Sequence, residues 1–115
     1  MRIVNKTQNT TIATRAIVAE DFLSRLCGLI PRKSLLDGEA LVIPGCKSIH
    51  MFFMKFSIDA IFIDGKNRVV GTVSDLKPFC LSSVFWKASS VVEVKTGTIA
   101  YSKTSCGDVI ELREE

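Results

Sequence analysis

Apolar and polar residues alternate along most of the chain, a period that predicts short β-strands. Arg2 to Lys6 and Thr11 to Val18 are rich in β-branched residues, and polar Asn5 to Thr10 joins them as a hairpin. From Glu20 to Ile30 the period changes. Phe22, Leu23, Leu26 and Leu29/Ile30 recur at helical spacing, with Asp21 in the first turn and Gly28 and Pro31 at the end, which predicts a short helix. Ser34 to Gly38 reads as a loop, and Ala40 to Ile43 as a strand closed by Pro44-Gly45. Ser48 to Lys55 and Ile58 to Ile63 are two further strands. Asp64-Gly65-Lys66-Asn67 is a tight turn that leads into the return strand Arg68 to Ser74. Lys77 to Lys87 has no period; its Pro78, Ser82-Ser83, Phe79, Phe85 and Trp86 suggest a loop with apolar anchors packed under it. Ser90 to Lys95 is a strand, Thr96-Gly97 a turn, Thr98 to Lys103 a single helical turn, Cys106-Gly107-Asp108 a turn and Val109 to Arg113 the last strand. Seven or eight short strands with one short helix predict a mainly β, single-domain sandwich or jelly-roll-like barrel over residues 1–115.

Composition agrees with a folded domain. The 115 residues suit one domain, and 47% apolar against 23% charged excludes a disordered or fibrous chain. The net charge of +3 is small and its basic residues are scattered. The nearest thing to a cluster, Arg25, Arg32 and Lys33, has no interleaved aromatics, so no nucleic-acid partner is expected. The longest near-apolar stretch, Ile49 to Ile63, is interrupted by His50, Lys55, Ser57 and Asp59, and no membrane association is expected. Met1 to Asn5 opens straight into a strand without a secretory signature. That predicts a cytoplasmic protein with reduced, mostly buried cysteines at positions 27, 46, 80 and 106; the mature form of an exported precursor is the alternative. The wide cysteine gaps lack any C-x-x-C pair and argue against a zinc ribbon.

The centre of the chain carries a resemblance. His50-Met51-Phe52-Phe53-Met54-Lys55, then Ile58-Asp59-Ala60-Ile61-Phe62-Ile63-Asp64, resembles the signature of the domain-of-unknown-function family numbered 192. Gly28-Leu29-Ile30, Gly38 to Ile43, Arg68-Val69-Val70 and Gly107 to Ile110 match it too, as does Val92-Glu93-Val94-Lys95-Thr96-Gly97, where Lys95 and Thr96 depart from the family's usual small residues. The resemblance spans about residues 12–112 and implies a small jelly-roll-like β-sandwich. It implies no activity and transfers no catalytic residue.

The chain's own chemistry is therefore the guide. Asp59 stands between Ile58 and Ala60-Ile61-Phe62-Ile63, and an unpaired carboxylate is costly to desolvate. It needs a donor: backbone N–H groups that lock a local loop, or His50 or Lys55 in a ligand pocket. Glu93, between Val92 and Val94, is a solvent-facing strand residue or a wall of that pocket. Asp108 flanks the last strand at its turn. Trp86 is a loop anchor or an apolar platform for a ligand. The candidate binding set is thus His50, Lys55, Asp59, Glu93 and Trp86, with Met51, Met54, Phe52, Phe53 and Phe56 in the core. No metal and no cofactor are expected.

The leading expectation is a monomeric domain that binds a small molecule or a protein partner and has no chemistry of its own. One alternative is a hydrolase or isomerase using Asp59 and His50 as base and acid, with or without a metal. A second alternative is an interaction module that docks through a strand edge.

Overall fold

The computed structural model describes residues 1–19, 35–51 and 54–114. The expected helix Glu20–Ile30, the Arg25/Arg32/Lys33 group, Cys27 and the pair Phe52-Phe53 lie outside the described residues. Among the described residues, strands β1 (Arg2–Asn5), β2 (Thr10–Ala13), β3 (Arg15–Val18), β4 (Glu39–Pro44), β5 (Ile58–Ile63), β6 (Val69–Leu76), β7 (Ser90–Lys95) and β8 (Ile110–Arg113) are accompanied by one short helix, α1 (Thr98–Ser102), between β7 and β8. They form a three-stranded sheet in the order β2-β1-β8 and a five-stranded sheet in the order β3-β4-β7-β5-β6. All pairings are antiparallel except β3 with β4, which run parallel.

The five-stranded sheet is covered on both faces, which is why its central strands are almost continuously apolar. Leu41, Ile43, Ile58, Ala60, Phe62 and Val91 enter one buried cluster. The residues between them, Ala40, Val42, Ile61, Ile63, Val92 and Val94, enter a second cluster shared with Ile3, Ile12 and Ile110 of the three-stranded sheet. Each fully buried Ile, Val or Phe contributes roughly 1.5–3 kcal/mol.

The expected strand Thr11–Val18 is two strands in different sheets. The chain bends at Thr14, where the N–H groups of Thr14 and Arg15 both donate to the Gly38 carbonyl at 2.9 Å. The tight turn at 64–67 forms as read: Asp64 Oδ1 accepts from the Lys66 and Arg68 N–H groups at 2.9 Å.

Ser48 to Lys55 is not a regular strand among its described residues. It meets the 79–85 segment through one isolated antiparallel bridge, His50 opposite Leu81, and single bonds such as Met51 N–H to the Cys80 carbonyl at 2.8 Å. Met54 N–H turns back to the Met51 carbonyl at 3.2 Å, so both methionines enter the first cluster where strict alternation would separate them. These two segments form a ribbon over the first face of the five-stranded sheet.

The ribbon is anchored by Phe85, whose ring lies 4.5 Å from that of Phe62. The same ring occupies the space where residue 71 would carry a Cβ, so glycine is required by close approach. Gly71→Ala is expected to lower stability by about 1–3 kcal/mol through overpacking, read as a shift in the urea midpoint. Gly71→Ala combined with Phe85→Leu should lose less than the two single costs added together.

Candidate functional site

Asp59 is 1% exposed and sits on β5. Its Oδ1 accepts from the Asp75 N–H at 2.8 Å, and its Oδ2 accepts from the N–H groups of Gly97 at 3.1 Å and Ile99 at 2.9 Å. The carboxylate's company is backbone. It satisfies donors at the start of α1, where helical N–H groups have no partner in the helix itself, and ties that turn to the end of β6. Gly97 meets it at φ 93°, a left-handed conformation that glycine adopts without strain.

His50 and Lys55 are not among these partners. Asp59 alternates with Ile58 and Ala60 and so faces the cluster shared by the two sheets. His50 is exposed, in the ribbon on the other face. Lys55 is exposed and Trp86 is 77% exposed. The reading of Trp86 as a packed anchor is corrected: Phe85 holds the loop down and Trp86 points outward, because only one side of the ribbon meets the sheet.

Glu93 is also corrected. Its neighbours in register are Leu41 on β4 and Ala60 on β5, so it lies mid-sheet beneath the ribbon and is 8% exposed, not solvent-facing. Alternation along a strand cannot report that the second face is covered. Burial pushes its carboxyl up to about 7. Glu93 and Asp59 therefore occupy opposite faces of one sheet.

A second buried polar group was legible only at Asp108. Asn5 is fully buried; its amide donates to Thr104 Oγ1 at 3.1 Å and Asp108 Oδ2 at 2.9 Å, and its Oδ1 accepts from the Gln8 N–H at 3.0 Å. Burial works to raise the Asp108 carboxyl, but bonds from Asn5, the Ser105 N–H and Gln8 outweigh it and hold the carboxyl below its usual value. Every member of this network is satisfied within the fold, and it fastens the three-stranded sheet to the exit of α1.

The concave feature near Asp59 is a cleft of about 540 Å³ between β2, the Asp37-Gly38 turn and the β7–α1 turn. Thr11, Thr14 and Thr98 line it with hydroxyls, Lys95 pairs with Asp37 at 2.9 Å, and Tyr101 stands at the rim, 86% exposed. Gly97 belongs to the wall, and its N–H is one of those that Asp59 holds. The sequence reading missed Thr11, Thr14, Asp37, Lys95, Thr98 and Tyr101. They come from three separate segments, and the Thr96-Gly97 turn was the one local signal.

Among the described residues no three His, Cys, Asp or Glu side chains converge on a metal site. The expectation of mostly buried cysteines is corrected: Cys80 and Cys106 are exposed and Cys46 is half-buried, its Sγ donating to the Ser48 carbonyl at 2.9 Å. All three lie in turns or in the ribbon, outside the strands that fill the core. Among the described residues no helix is long and apolar enough to cross a membrane.

Comparison with known proteins bears on the whole chain. Residues 3–112 match the model of the family DUF192, "Uncharacterized ACR". A UPF0127 protein of Pyrococcus horikoshii is 35% identical over 112 residues, covering 95% of this chain and 96% of that one. A UPF0127 protein of Thermococcus sibiricus is 30% identical, covering 98% of this chain and 75% of its own length. The fold is shared with the crystal structure of a protein of unknown function from Novosphingobium aromaticivorans, at a TM-score of 0.84 and 21% identity, over 97% of this chain and 84% of that one.

Proposed function

We propose that this chain, which belongs to the DUF192 family of uncharacterised proteins, is a ligand-binding β-domain with no chemistry of its own, its ligand seated in the cleft beside Gly97. We read the two sheets as a sandwich, jelly-roll-like in outline, acting as a single cytoplasmic domain and a monomer. Exposed thiols at Cys80 and Cys106 suit a reducing compartment.

The observation that carries the reading is the cleft. Its volume of about 540 Å³ falls within the usual range for small-molecule sites, roughly 300–1,000 Å³. Its lining combines hydroxyls, one ammonium, one carboxylate and an exposed aromatic ring. That set suits a small polyhydroxylated molecule such as a sugar: Asp37 accepts from hydroxyls, Lys95 and the threonines donate, and Tyr101 stacks on the apolar face. Of the five residues expected to bind, Asp59 keeps a part, as a positioning residue that holds Gly97. Glu93 is on the other face of the sheet, His50 and Trp86 are in the ribbon over that face, and Lys55 is exposed in the bend before β5. The acid–base alternative asks Asp59 and His50 to share a proton path, and they face opposite ways.

A thermal-shift screen of monosaccharides and sugar acids tests this. At least one is expected to raise the wild-type midpoint and to lose that effect in Tyr101→Ala and in Lys95→Ala. Both substitutions are at exposed positions and should leave the unliganded midpoint nearly unchanged. Equal shifts in wild type and both variants, or none with any sugar, refute the cleft as a sugar site.

A further inference from the structure

The outward side of the ribbon combines features that neither the core nor the cleft explains. Phe79, Leu81, Val84 and Trp86 are 66%, 66%, 46% and 77% exposed, four large apolar side chains within eight residues of one segment. Phe79 has φ 66°, a conformation that bulky residues rarely adopt, held by its N–H bond to the Met51 carbonyl at 2.7 Å. The fold thus keeps a strained aromatic largely exposed to water.

Charge supplies the second feature. The two segments that build this face, residues 44–57 and 76–90, contain Lys47, Lys55, Lys77, Lys87 and His50 and neither Asp nor Glu, although the chain has 12 acidic residues. Lys47 Nζ donates to the backbone carbonyls of Trp86 at 3.0 Å and Ala88 at 2.8 Å, which ties an ammonium to the 86–88 stretch. Lys77 is partly offset by Asp75, 2.9 Å away at the end of β6.

We infer that this face docks peripherally on an anionic lipid bilayer, with Trp86, Phe79 and Leu81 entering the headgroup boundary and Lys47, Lys55, Lys77 and Lys87 meeting the lipid phosphates and carboxylates. The choice of cation favours lipid over a protein partner. Every strong base of the two segments is lysine and neither segment holds a carboxylate; protein interfaces are depleted in lysine, whereas basic residues of either kind beside Trp, Phe and Leu suit an anionic membrane surface. The inference departs from the expectation of no membrane association, which rested on the absence of a spanning stretch; peripheral docking needs none. It is independent of the sugar cleft, which lies beyond the other face of the sheet.

Trp86 is the chain's single tryptophan and reports on the face directly. The full chain is titrated with vesicles of phosphatidylcholine alone and of phosphatidylcholine with phosphatidylserine, and binding is read by tryptophan emission and by co-sedimentation. With phosphatidylserine vesicles, emission should shift to the blue and protein should sediment; with phosphatidylcholine alone, binding should be about 10-fold weaker or more. Lys77→Gln with Lys87→Gln should weaken binding by about 10-fold or more, and high salt should release the protein. Phe79→Gly, which relieves the strained φ and should fold at least as well, should also weaken it. No blue shift and no sedimentation with phosphatidylserine vesicles overturns the inference. So does binding that ignores salt, the lysine changes and the lipid charge.

Discussion

Asp59→Ala is expected to destabilise the domain by about 3–4 kcal/mol. The substitution removes one side chain but leaves three backbone donors, on Asp75, Gly97 and Ile99, without their acceptor; the Ile99 bond is fully buried and the other two are part-buried. Bonds to a charged acceptor contribute roughly 1.5–3 kcal/mol each, and an orphaned buried donor costs about 1–3 kcal/mol, with part recovered by local relaxation. Asp59→Asn keeps one acceptor oxygen and turns an N–H₂ toward the other donors, so it should lose less, about 2 kcal/mol. Urea unfolding gives the size of the effect, and amide exchange gives its place. Protection should fall first at Gly97 and Ile99, because the β7–α1 turn opens when its anchor is gone. A change below about 0.5 kcal/mol, the range of ordinary surface substitutions, would refute the anchoring role.

Glu93 should produce the largest pH effect, with the opposite sense to acid denaturation. Its folded-state pKa is raised from 4.5 to about 7 by burial. Between those values the native state holds a proton that the unfolded chain has released, so its contribution to stability is complete below about pH 4.5 and lost as pH rises through 7. At 1.36 kcal/mol per pK unit the loss is about 3 kcal/mol. Glu93→Gln is neutral throughout. At pH 8 it should therefore exceed the wild type by about 2–3 kcal/mol, and near pH 4.5 the two should agree within about 1 kcal/mol. The difference between variant and wild type is the quantity to measure, because other carboxyls slope the other way. Asp64, Asp75 and Glu111 are held below their ordinary values by the Arg68 N–H, Lys77 and Arg113 respectively, and these contributions fade as pH falls. They cancel in the difference. Equal unfolding free energies at pH 8, measured by urea titration, would refute an uncompensated carboxyl at position 93.

Glu93 and Asp59 also mark where reading along the chain succeeds and where it stops. Asp59 was legible because a carboxylate inside an unbroken apolar run must find donors wherever the run is buried. The donors themselves were not legible, since Gly97 and Ile99 arrive from a turn about forty residues on. Glu93 was misread because period-2 alternation tells which residues share a face, and nothing in it says whether that face meets water or a second layer. His50 is near Asp59 in sequence, yet its bridge to Leu81 sets it in the ribbon over the opposite face, and Lys55 is exposed and not among the partners of Asp59.

Local chemistry was sufficient for most of the strands, though not for Ser48–Lys55, and for the 64–67 turn, the helical turn after Gly97 and the mainly β class. Each depends on interactions within a few residues: β-branched packing, Asx capping, and the positive φ that glycine and asparagine tolerate. Folding in three dimensions settled the split at Thr14, the parallel β3–β4 pair, the burial of Glu93, the cleft and the exposed apolar ribbon. Those depend on which layers cover which faces, a matter of long-range packing free energy that no short window of residues contains.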